Sequence, residues 1–428
     1  MYNGIMEYRN RFADNILKEK LEAKGAVLVE GPKWCGKTTT SANLAKSILY
    51  MEDPEKKEQN IKLASIKPSI LLKGETPRLI DEWQLSPSLW DAVRFEVDKR
   101  NEFNQFILTG SAVPADTEKI FHSGTGRITR MLMRPMTLFE TGDSNGSVSL
   151  KGLFSSDYEI SGYKESSLER IAYLICRGGW PKSLDCSEKI ALEQAIDYYD
   201  AVVNFDISRV DGKERNSERA KLIMRSYSRN IGSQVKYEEI RKDILGNDIN
   251  SFSIDSLYDY VNALKKIFVI EDSAAWNPNL RSKTAIRTTD TRYFVDPSIA
   301  TASLGLGPND LINDLNTMGL LFENLCVRDL RVYAQCLDGQ IYHYRDKNDL
   351  ECDAVVHLRN GSYGLVEIKL GGEKLIEEGV KTLLSLEKHL DTTKMKEPSF
   401  KMVITATGDY AYKREDGVAI VPISCLGA

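Results

Sequence analysis

The amino-acid sequence predicts an α/β fold in which a parallel sheet is covered by helices on both faces. Three short apolar runs, VLVE, RLIDE and FILTGSA, have the pattern of buried strands. Helical stretches begin between them at Thr38 and at about Ser88. This alternation indicates a parallel sheet, because the crossover between two parallel strands needs a connection as long as a helix.

The length and composition of the chain indicate a globular protein with two or three domains. It has 428 residues, whereas one hydrophobic core rarely grows beyond about 250–300 residues. Hydrophobic residues make up 42% and charged residues 28%, a mixture that excludes a disordered chain. The net charge of -5 combines 57 basic with 62 acidic side chains, so any nucleic-acid-binding surface must be local.

The seven cysteines and four histidines form no recognisable disulfide or zinc pattern. The cysteines lie far apart with no CxxC pair, and no histidine belongs to an HExxH motif. No apolar stretch approaches the length of a membrane span, and the first residues lack the apolar core of a signal peptide. We therefore expect a reduced, cytoplasmic protein that does not contact a membrane.

A glycine-containing motif follows the first strand. GPKWCGKT, from Gly31 to Thr38, fits the pattern GxxxxGK[ST] and lies between an apolar strand and a helix, as a phosphate-binding loop requires. The glycines let successive backbone N–H groups face phosphate oxygens, and the helix N-terminus adds a positive dipole. We expect Lys37 to reach the β- and γ-phosphates of ATP, and the Thr38 hydroxyl to ligate Mg²⁺. The residues predicted to bind the nucleotide are Gly31, Pro32, Lys33, Trp34, Cys35, Gly36, Lys37, Thr38 and Thr39.

Two adjacent carboxylates end the second strand. The run LIDE, from Leu79 to Glu82, is apolar and then acidic. Asp81 suits the magnesium shell, whereas Glu82 suits the activation of a water for attack on the γ-phosphate. An acidic helix cap is the alternative interpretation. The pair favours a hydrolase over a kinase or a passive nucleotide binder, with ATP and Mg²⁺ as cofactors.

The third strand and the loop after it supply further candidates. Thr109 and Ser111 end the strand, where their hydroxyls would sense the γ-phosphate; an ordinary strand-terminal turn is the alternative. Arg127 is the predicted arginine finger, which would stabilise charge on the transferred phosphoryl group, although arginines on a solvated loop are common. The predicted catalytic set is therefore Lys37, Glu82, Thr109 and Arg127.

Residues 213–300 have the pattern of a separate module with a winged-helix shape. A helix predicted after the N-cap Ser253 places apolar residues on one face, and the runs FVIEDSAAW and TRYFVD suggest a hairpin. Between residues 213 and 287 there are 14 Lys and Arg against 10 Asp and Glu, a mild excess compatible with DNA contact. The preceding helical stretch must break at RGGWP, where two glycines and a proline interrupt it.

These motifs resemble those of a family of prokaryotic AAA-type ATPases. The family pattern is GPxxxGKTT, DExQ, LTGS and a GR followed by a Pro-Leu-Ser-Phe-Glu-like run; here the segments read GPKWCGKTT, DEWQ, LTGS and GR with RPMTLFE. Lys33 stands where the family often has Arg, which keeps the charge. The resemblance implies a P-loop NTPase core (residues 1–163), a helical lid (164–212) and a restriction-endonuclease-like α/β domain (301–428). The winged-helix-like module (213–300), predicted from its own residue pattern, lies between the lid and the last domain.

Acidic residues of the last domain form a second candidate site. Glu351 and Asp353 are separated by one residue, as are Glu367 and Lys369, and residues i and i+2 of a strand share one face. An acidic cluster binds a hard cation through oxygen, and a neighbouring lysine can position a water or offset charge on a scissile phosphate. The arrangement resembles the D…ExK motif of metal-dependent nucleases, in which Glu323 would be the additional acid. A degenerate nuclease fold kept for binding is the alternative.

Two functional hypotheses follow from these features. In the first, the protein couples ATP hydrolysis to action on DNA through the winged-helix module and the nuclease-like tail. In the second, it is a nucleotide-gated switch or scaffold whose tail binds a protein partner and cuts no phosphodiester. A homo-oligomer is compatible with both.

Overall fold

The chain forms two compact units, each with its own sheet. The computed structural model describes residues 8–110, 123–246, 252–278, 289–391, 393 and 395–428. The first unit comprises Met1–Arg134, Ser208–Glu214 and Lys266–Phe268, and the second comprises Pro135–Ile207, Arg215–Lys265 and Val269–Ala428.

The first unit is built on a five-stranded parallel sheet. Its strands are β1 (Ala26–Glu30), β2 (Ser47–Tyr50), β3 (Arg78–Asp81), β4 (Phe106–Gly110) and β5 (Ile128–Leu132). They lie in the order β2-β3-β4-β1-β5, and every neighbouring pair is parallel. The helices of this unit are Phe12–Ala23, Lys37–Leu44, Lys57–Ile66 and Ser88–Arg100. The predicted parallel sheet is confirmed.

Successive residues of β1 point into two different cores, one on each face of the sheet. Val27 is buried in the same core as Leu17 of the helix Phe12–Ala23. The next residue, Leu28, is buried in the other core together with Trp90 of the helix Ser88–Arg100. Helices therefore cover both faces, as the sequence predicts.

Two strands of this sheet, the edge strands β2 and β5, are absent from the sequence prediction. Strand β2 is four residues long, lies at the edge of the sheet and has half-buried or exposed side chains. A short strand of this kind lacks the continuous buried run that marks a central strand of a parallel sheet.

The second unit contains a seven-stranded mixed sheet and a separate two-stranded pair. The strands are β6 (Val148–Ser149), β7 (Gly162–Tyr163), β8 (Gly339–Arg345), β9 (Glu351–Leu358), β10 (Tyr363–Lys369), β11 (Phe400–Thr405), β12 (Tyr410–Lys413), β13 (Val418–Pro422) and β14 (Leu426–Gly427). The large sheet has the order β7-β12-β13-β11-β10-β9-β8, and β10, β11 and β13 are parallel to one another. Strand β6 pairs with β14.

The segment that carries β6 and β7 differs from the predicted extent of the P-loop core. The prediction assigns residues 1–163 to that core, whereas the first unit ends at Arg134 in this part of the chain. The reason is strand pairing: Tyr163 of β7 pairs with Tyr410, and β6 pairs with the last strand of the chain. The division into four domains stays a prediction.

The remaining helices belong to the second unit, apart from Lys266, the last residue of the helix Ile254–Lys266, which is assigned to the first unit. None of the helices in the described residues is both long and apolar enough to cross a membrane. The helices are Leu150–Leu153, Leu168–Arg177, Glu188–Ala201, Ser217–Arg229, Tyr237–Leu245, Ile254–Lys266, Pro297–Leu304, Pro308–Asn313, Leu315–Gln335 and Glu373–His389.

Two helix boundaries agree with the sequence prediction. The helix Leu168–Arg177 ends at Gly178, whose φ of 71° is a conformation that favours glycine. The helix Ile254–Lys266 begins after Ser253, and the Ser253 hydroxyl oxygen accepts a hydrogen bond from the backbone N–H of Ser256 at 3.0 Å. That bond satisfies a backbone donor that the helix itself leaves without a partner.

The predicted hairpin is visible as two antiparallel bridges. They join Ile270 to Phe294 and Ser273 to Thr291. The connecting residues 279–288 lie outside the described residues. Three helices of the described residues, between residues 217 and 266, precede the bridges, and the winged-helix assignment stays a prediction.

A buried arginine joins distant segments of the second unit. The Arg328 side chain is 1% exposed, and its guanidinium lies 2.8 Å from a carboxylate oxygen of Asp296 and 2.8 Å from one of Asp329. Asp329 also accepts the backbone N–H of Leu138, and Asp296 accepts that of Gly179, each at 2.9 Å. Burial raises the pKa of Asp329 to about 6, while the charge of Arg328 opposes that rise.

Replacing Arg328 by methionine should destabilise the second unit by about 3–5 kcal/mol, because two buried carboxylates lose their counter-charge. The loss should be smaller near pH 5 than near pH 8. The folded-state pKa of Asp329 lies above its ordinary value, so protonation at the lower pH removes part of the uncompensated charge. Thermal unfolding followed by circular dichroism measures both effects.

The matched control is Arg359→Met, because that side chain is 83% exposed. It should change stability by less than about 0.5 kcal/mol. A loss as small as this in Arg328→Met near pH 8 would show that the buried ion cluster does not stabilise the unit.

Candidate nucleotide-binding site

The carboxyl ends of three neighbouring strands meet at one edge of the first sheet. Val29 of β1 lies beside Thr109 of β4, and Thr109 lies beside Asp81 of β3. The strands run in the same direction, so their last residues face one crevice. The loop 31–36 leaves β1 at this edge and leads into the helix Lys37–Leu44. The fold therefore brings the predicted loop, carboxylate and hydroxyl residues together.

Backbone geometry explains why the loop has glycine at both ends. Gly31 has a φ of +151°, and a Cβ there would lie 2.1 Å from the carbonyl oxygen of Met133. Gly36 has a φ of 98° and directly precedes the helix. Trp34 also has a positive φ, 65°, although a bulky residue rarely adopts it. The loop thus holds local strain, as ligand-binding loops often do.

The ammonium group of Lys37 is buried inside the loop. Nζ donates hydrogen bonds to the carbonyl oxygens of Gly31, at 3.0 Å, and of Pro32, at 2.7 Å. Both acceptors are neutral, so the bonds can be exchanged for stronger ones to anionic oxygens. The loop thereby presents a cation that is suited to phosphate.

Asp81 is the point at which the loop helix and two strands converge. Its Oδ1 accepts hydrogen bonds from the hydroxyls of Thr38, at 2.9 Å, and Thr109, at 2.5 Å. A hydroxyl next to a carboxylate is an oxygen donor set of the kind that Mg²⁺ prefers, so Thr38 and Asp81 fit the predicted ion. Ser111, the other predicted hydroxyl, lies outside the described residues.

Glu82 follows Asp81 in a left-handed backbone conformation, with φ 55° and ψ 47°. Its carboxylate accepts a hydrogen bond from Nε2 of Gln84. Burial and then the charge of Asp81 raise the pKa of Glu82, whereas the charge of Lys37 lowers it. A carboxyl group with a raised pKa is a better proton acceptor near neutral pH once it is ionised.

Gln84 lies between Glu82 and the end of β4. Its Oε1 is buried and has no hydrogen-bond partner in the part of the chain that the structure describes. A Cβ on Gly110 would lie 2.7 Å from that oxygen. Gln84 is the last residue of the DEWQ segment, and its contact with Glu82 is not predicted from the sequence.

Arg127 lies at the amino-terminal end of the parallel strands, whereas the phosphate loop lies at their carboxyl end. It directly precedes β5, whose first residue, Ile128, pairs with Ala26 at the start of β1. Strand β1 has five residues, and each residue extends the strand by about 3.3 Å. The full length of β1 therefore separates the end of the sheet near Arg127 from the loop. The guanidinium of Arg127 instead pairs with Asp98, with Nε 2.7 Å from Oδ1. This placement contradicts a finger role toward nucleotide bound by the same chain; a role across a subunit boundary stays a prediction.

Two side chains before the first helix contact the phosphate loop and the helix that follows it. Arg11 donates from Nη1 to the carbonyl oxygen of Cys35 at 2.9 Å. The Tyr8 hydroxyl lies 3.0 Å from Oγ1 of Thr40. Neither contact is predicted from the sequence, because an arginine and a tyrosine before a polar helix are too common to indicate a site.

The predicted C-terminal site is assembled only in part. The Lys369 ammonium lies 3.3 Å from a carboxylate oxygen of Asp353 and 2.7 Å from one of Glu367. Burial and then the charge of Asp353 raise the pKa of Glu367, the charge of Lys369 partly offsets them, and the resulting pKa is about 8. Glu323 accepts a hydrogen bond from Tyr293, and burial followed by the charge of Asp353 raises the pKa of Glu323.

Glu351 does not join this cluster, which corrects the prediction of a metal site formed by Glu351, Asp353 and Glu367. Its side chain is 48% exposed and pairs with Arg345 at 2.5 Å across the β8–β9 hairpin. Among the described residues, no group of three or more His, Cys, Asp or Glu side chains is arranged to hold a metal ion. The ammonium of Lys369 offsets the two remaining carboxylates instead.

Comparison with known proteins agrees with this geometry for the first part of the chain. Residues 23–142 match the family model described as an AAA domain. Residues 168–310 and 318–426 match models described as domains of unknown function, DUF8612 and DUF4143. Residues 23–142 are therefore similar to an AAA domain, a similarity that implies ATP binding. The matches to the later segments assign neither a winged helix nor a nuclease, and both stay predictions.

Two relatives match almost the whole chain, and both are named as uncharacterized proteins. The chain is 22% identical over 424 residues to uncharacterized protein Rv2008c of Mycobacterium tuberculosis and to uncharacterized protein Mb2031c of Mycobacterium bovis. In each case the match covers 98% of this chain and 85% of the relative. Among solved structures, the Walker-type ATPase PABY2304 of Pyrococcus abyssi is 16% identical, with a TM-score of 0.41, over 69% of this chain and 96% of that one.

Replacing Lys369 by methionine should destabilise the second unit by roughly 2–4 kcal/mol above about pH 8, because Glu367 is then ionised and would repel Asp353 without the ammonium between them. Urea unfolding measures the loss. The control Lys374→Met removes an exposed lysine of the helix Glu373–His389 and should change stability by less than about 0.5 kcal/mol.

Unfolding measured with and without Mn²⁺ tests whether Glu351 lies outside a metal site. Because Glu351 lies apart, millimolar Mn²⁺ should change the unfolding transition of Glu351→Ala by the same amount as that of the unmodified protein. Stabilisation by Mn²⁺ that Glu351→Ala abolishes would restore the predicted three-carboxylate site.

Proposed function

We propose that this protein is a magnesium-dependent ATPase. The observation that carries the proposal is the convergence of the Thr38 and Thr109 hydroxyls on Asp81, at the edge of the sheet where the loop holds the buried Lys37 ammonium. The match of residues 23–142 to an AAA domain supports it.

The phosphates of ATP would bind at the loop between β1 and the helix Lys37–Leu44. Backbone N–H groups of the loop and the first turn of the helix supply hydrogen bonds and a positive dipole. Lys37 would exchange the carbonyl oxygens of Gly31 and Pro32 for phosphate oxygens, which accept a stronger, charge-assisted bond. The buried carbonyl acceptors keep the ammonium in the loop before the nucleotide arrives.

Thr38 and Asp81 would hold Mg²⁺. When bound, the ion offsets negative charge on the β- and γ-phosphates. The Thr109 hydroxyl donates to Asp81 and so fixes the orientation of that carboxylate. Thr109 is 1% exposed, which leaves its hydroxyl little freedom to turn elsewhere.

Glu82 would accept the proton of the water that attacks the γ-phosphate. Its carboxylate is next in the chain to Asp81 and is held by the amide of Gln84. The left-handed turn at Glu82 directs this side chain differently from the strand before it, so adjacent carboxylates serve two tasks.

Three variants test the ATPase proposal. Lys37→Ala should reduce turnover to background and weaken nucleotide binding by about tenfold or more, because it removes the cation at the phosphates. Glu82→Gln should bind MgATP almost normally but lose about 10²-fold or more in turnover, since an amide accepts no proton. Asp81→Asn should raise the Mg²⁺ concentration needed for activity. Phosphate release and calorimetry measure these effects.

The control is Lys46→Ala, an exposed lysine just after the loop helix, which should behave as the unmodified protein. Normal turnover in Lys37→Ala would refute the ATPase assignment. An exchange of the Glu82→Gln and Asp81→Asn phenotypes would refute only the division of roles.

We further propose that hydrolysis is coupled to nucleic acid bound by the second unit. The basic excess of residues 213–287 supports this hypothesis. The alternative is a nucleotide-gated switch or scaffold, which is supported by the neutralisation of Asp353 and Glu367 by Lys369. In a homo-oligomer, Arg127 would be available to the site of a neighbouring subunit.

The ATPase rate with and without DNA separates the two hypotheses. Coupling predicts a several-fold rise in turnover with single- or double-stranded DNA, and DNA binding that weakens steeply as salt rises. Glu82→Gln serves as the control, because it should bind DNA without turnover. Turnover that ignores DNA, together with an oligomeric state that changes with nucleotide in light scattering, would favour the switch.

A further inference from the structure

Arg11 is buried and joins two backbone carbonyl groups of the first unit. The residue is 6% exposed, and its guanidinium donates from Nη1 to the oxygen of Cys35 and from Nη2 to the oxygen of Arg134, each at 2.9 Å. Cys35 belongs to the phosphate loop. Arg134 follows Met133, whose backbone N–H donates to the carbonyl oxygen of Glu30, directly before the loop, at 2.8 Å. Arg11 therefore ties the loop to the chain segment beside it.

The bond to Cys35 sets the orientation of one peptide group within the loop. The peptide between Cys35 and Gly36 is planar and trans, so its C=O and N–H point in opposite directions. With the carbonyl held by Arg11, the N–H of Gly36 is turned away from Arg11. Gly36 then leads, with a φ of 98°, directly into the helix Lys37–Leu44.

The position of Arg11 is itself fixed by the start of the first helix. Its backbone N–H donates to Oδ2 of Asp14 at 2.8 Å. The other oxygen of Asp14 accepts a hydrogen bond from the Tyr8 hydroxyl, which also lies 3.0 Å from Oγ1 of Thr40. The segment 8–14 thus contacts both the loop and the helix after it, which limits the freedom of Arg11 to release Cys35.

We propose that Arg11 is a positioning residue of the phosphate site. By holding the Cys35 carbonyl, it directs the Gly36 N–H toward the phosphates of a bound nucleotide. The inference rests on the proposed ATP-binding function. The guanidinium also polarises the Cys35 carbonyl, which makes the N–H of the same peptide a stronger donor. Its charge adds to the positive potential at the loop.

Arginine is required because its planar fork reaches two carbonyl groups at once. Lysine keeps the charge but has one compact ammonium, so it can restore only part of the arrangement. Alanine removes both the positive charge and the hydrogen bonds to the two carbonyl groups. The two substitutions therefore separate charge from geometry.

The experiment compares Arg11→Ala and Arg11→Lys with the unmodified full-length protein. Arg11→Ala should weaken MgADP binding, measured by calorimetry, by about tenfold or more and raise KM for ATP in proportion, while kcat changes by less than about threefold. Arg11→Lys should recover part of the affinity. The control is Lys18→Ala, which removes an exposed charge from the adjacent helix and should bind MgADP normally.

A role in folding alone would lower the unfolding temperature and leave the MgADP affinity of the folded fraction unchanged, and this result would overturn the proposal. If Arg11→Ala does not fold, Arg11→Lys decides: weaker MgADP binding at a normal unfolding temperature supports the proposal, and normal binding overturns it. An unmodified protein that binds MgADP without hydrolysing ATP would remove the ATPase proposal only. One that binds no nucleotide would remove both.

Discussion

Hydrogen bonding between the parallel strands β1, β4 and β3 fixes the positions on which the candidate nucleotide site depends. The register places Asp81 beside Thr109 and Thr109 beside Val29, just before the phosphate loop. A shift of one residue in β3 would turn the Asp81 side chain to the other face of the sheet. Its contact with Thr38 would then be lost. The site is thus held by the sheet itself, and the loop needs to supply only backbone donors and one lysine.

The part of this arrangement that local patterns encode is predictable from the sequence. The glycines of the loop, the strand ending in Asp81 and the position of Thr109 follow from motifs whose residues are adjacent in the chain. Arg127 shows the limit of this reasoning, because residue order does not reveal at which end of the sheet a loop lies until the strand pairing is known. Glu351 shows the same limit, since its partner Arg345 lies on the neighbouring strand of a hairpin. The contacts of Arg11 are not predictable for a further reason. The guanidinium donates to backbone carbonyl oxygens, which every residue has whatever its side chain, so no sequence pattern indicates them.

The two candidate sites differ in how their lysines are held. Lys37 donates to two neutral carbonyl oxygens, whereas Lys369 is bound to two carboxylates. Bonds between charged partners are stronger than bonds to neutral acceptors, and breaking them would leave carboxylates without a counter-charge. An incoming phosphate can therefore displace the partners of Lys37 at much lower cost than those of Lys369. The ammonium group at the first site can therefore bind an anion, whereas the charges at the second site are largely neutralised by its own side chains.

The pairing of β7 with β12 and of β6 with β14 limits how far the C-terminal sheet is an independent module. Trp276, from the segment before the sheet, also packs in the same core as Tyr363. A fragment beginning at residue 301 would lack β6, β7 and Trp276, which would leave unpaired strand edges and a gap in that core. Exposed edges of this kind recruit strands from other molecules, so such a fragment would tend to aggregate. In evolution, a gene fusion that moved only residues 301–428 would meet the same obstacle, whereas one that moved the chain from about residue 135 onward would carry the complete sheet.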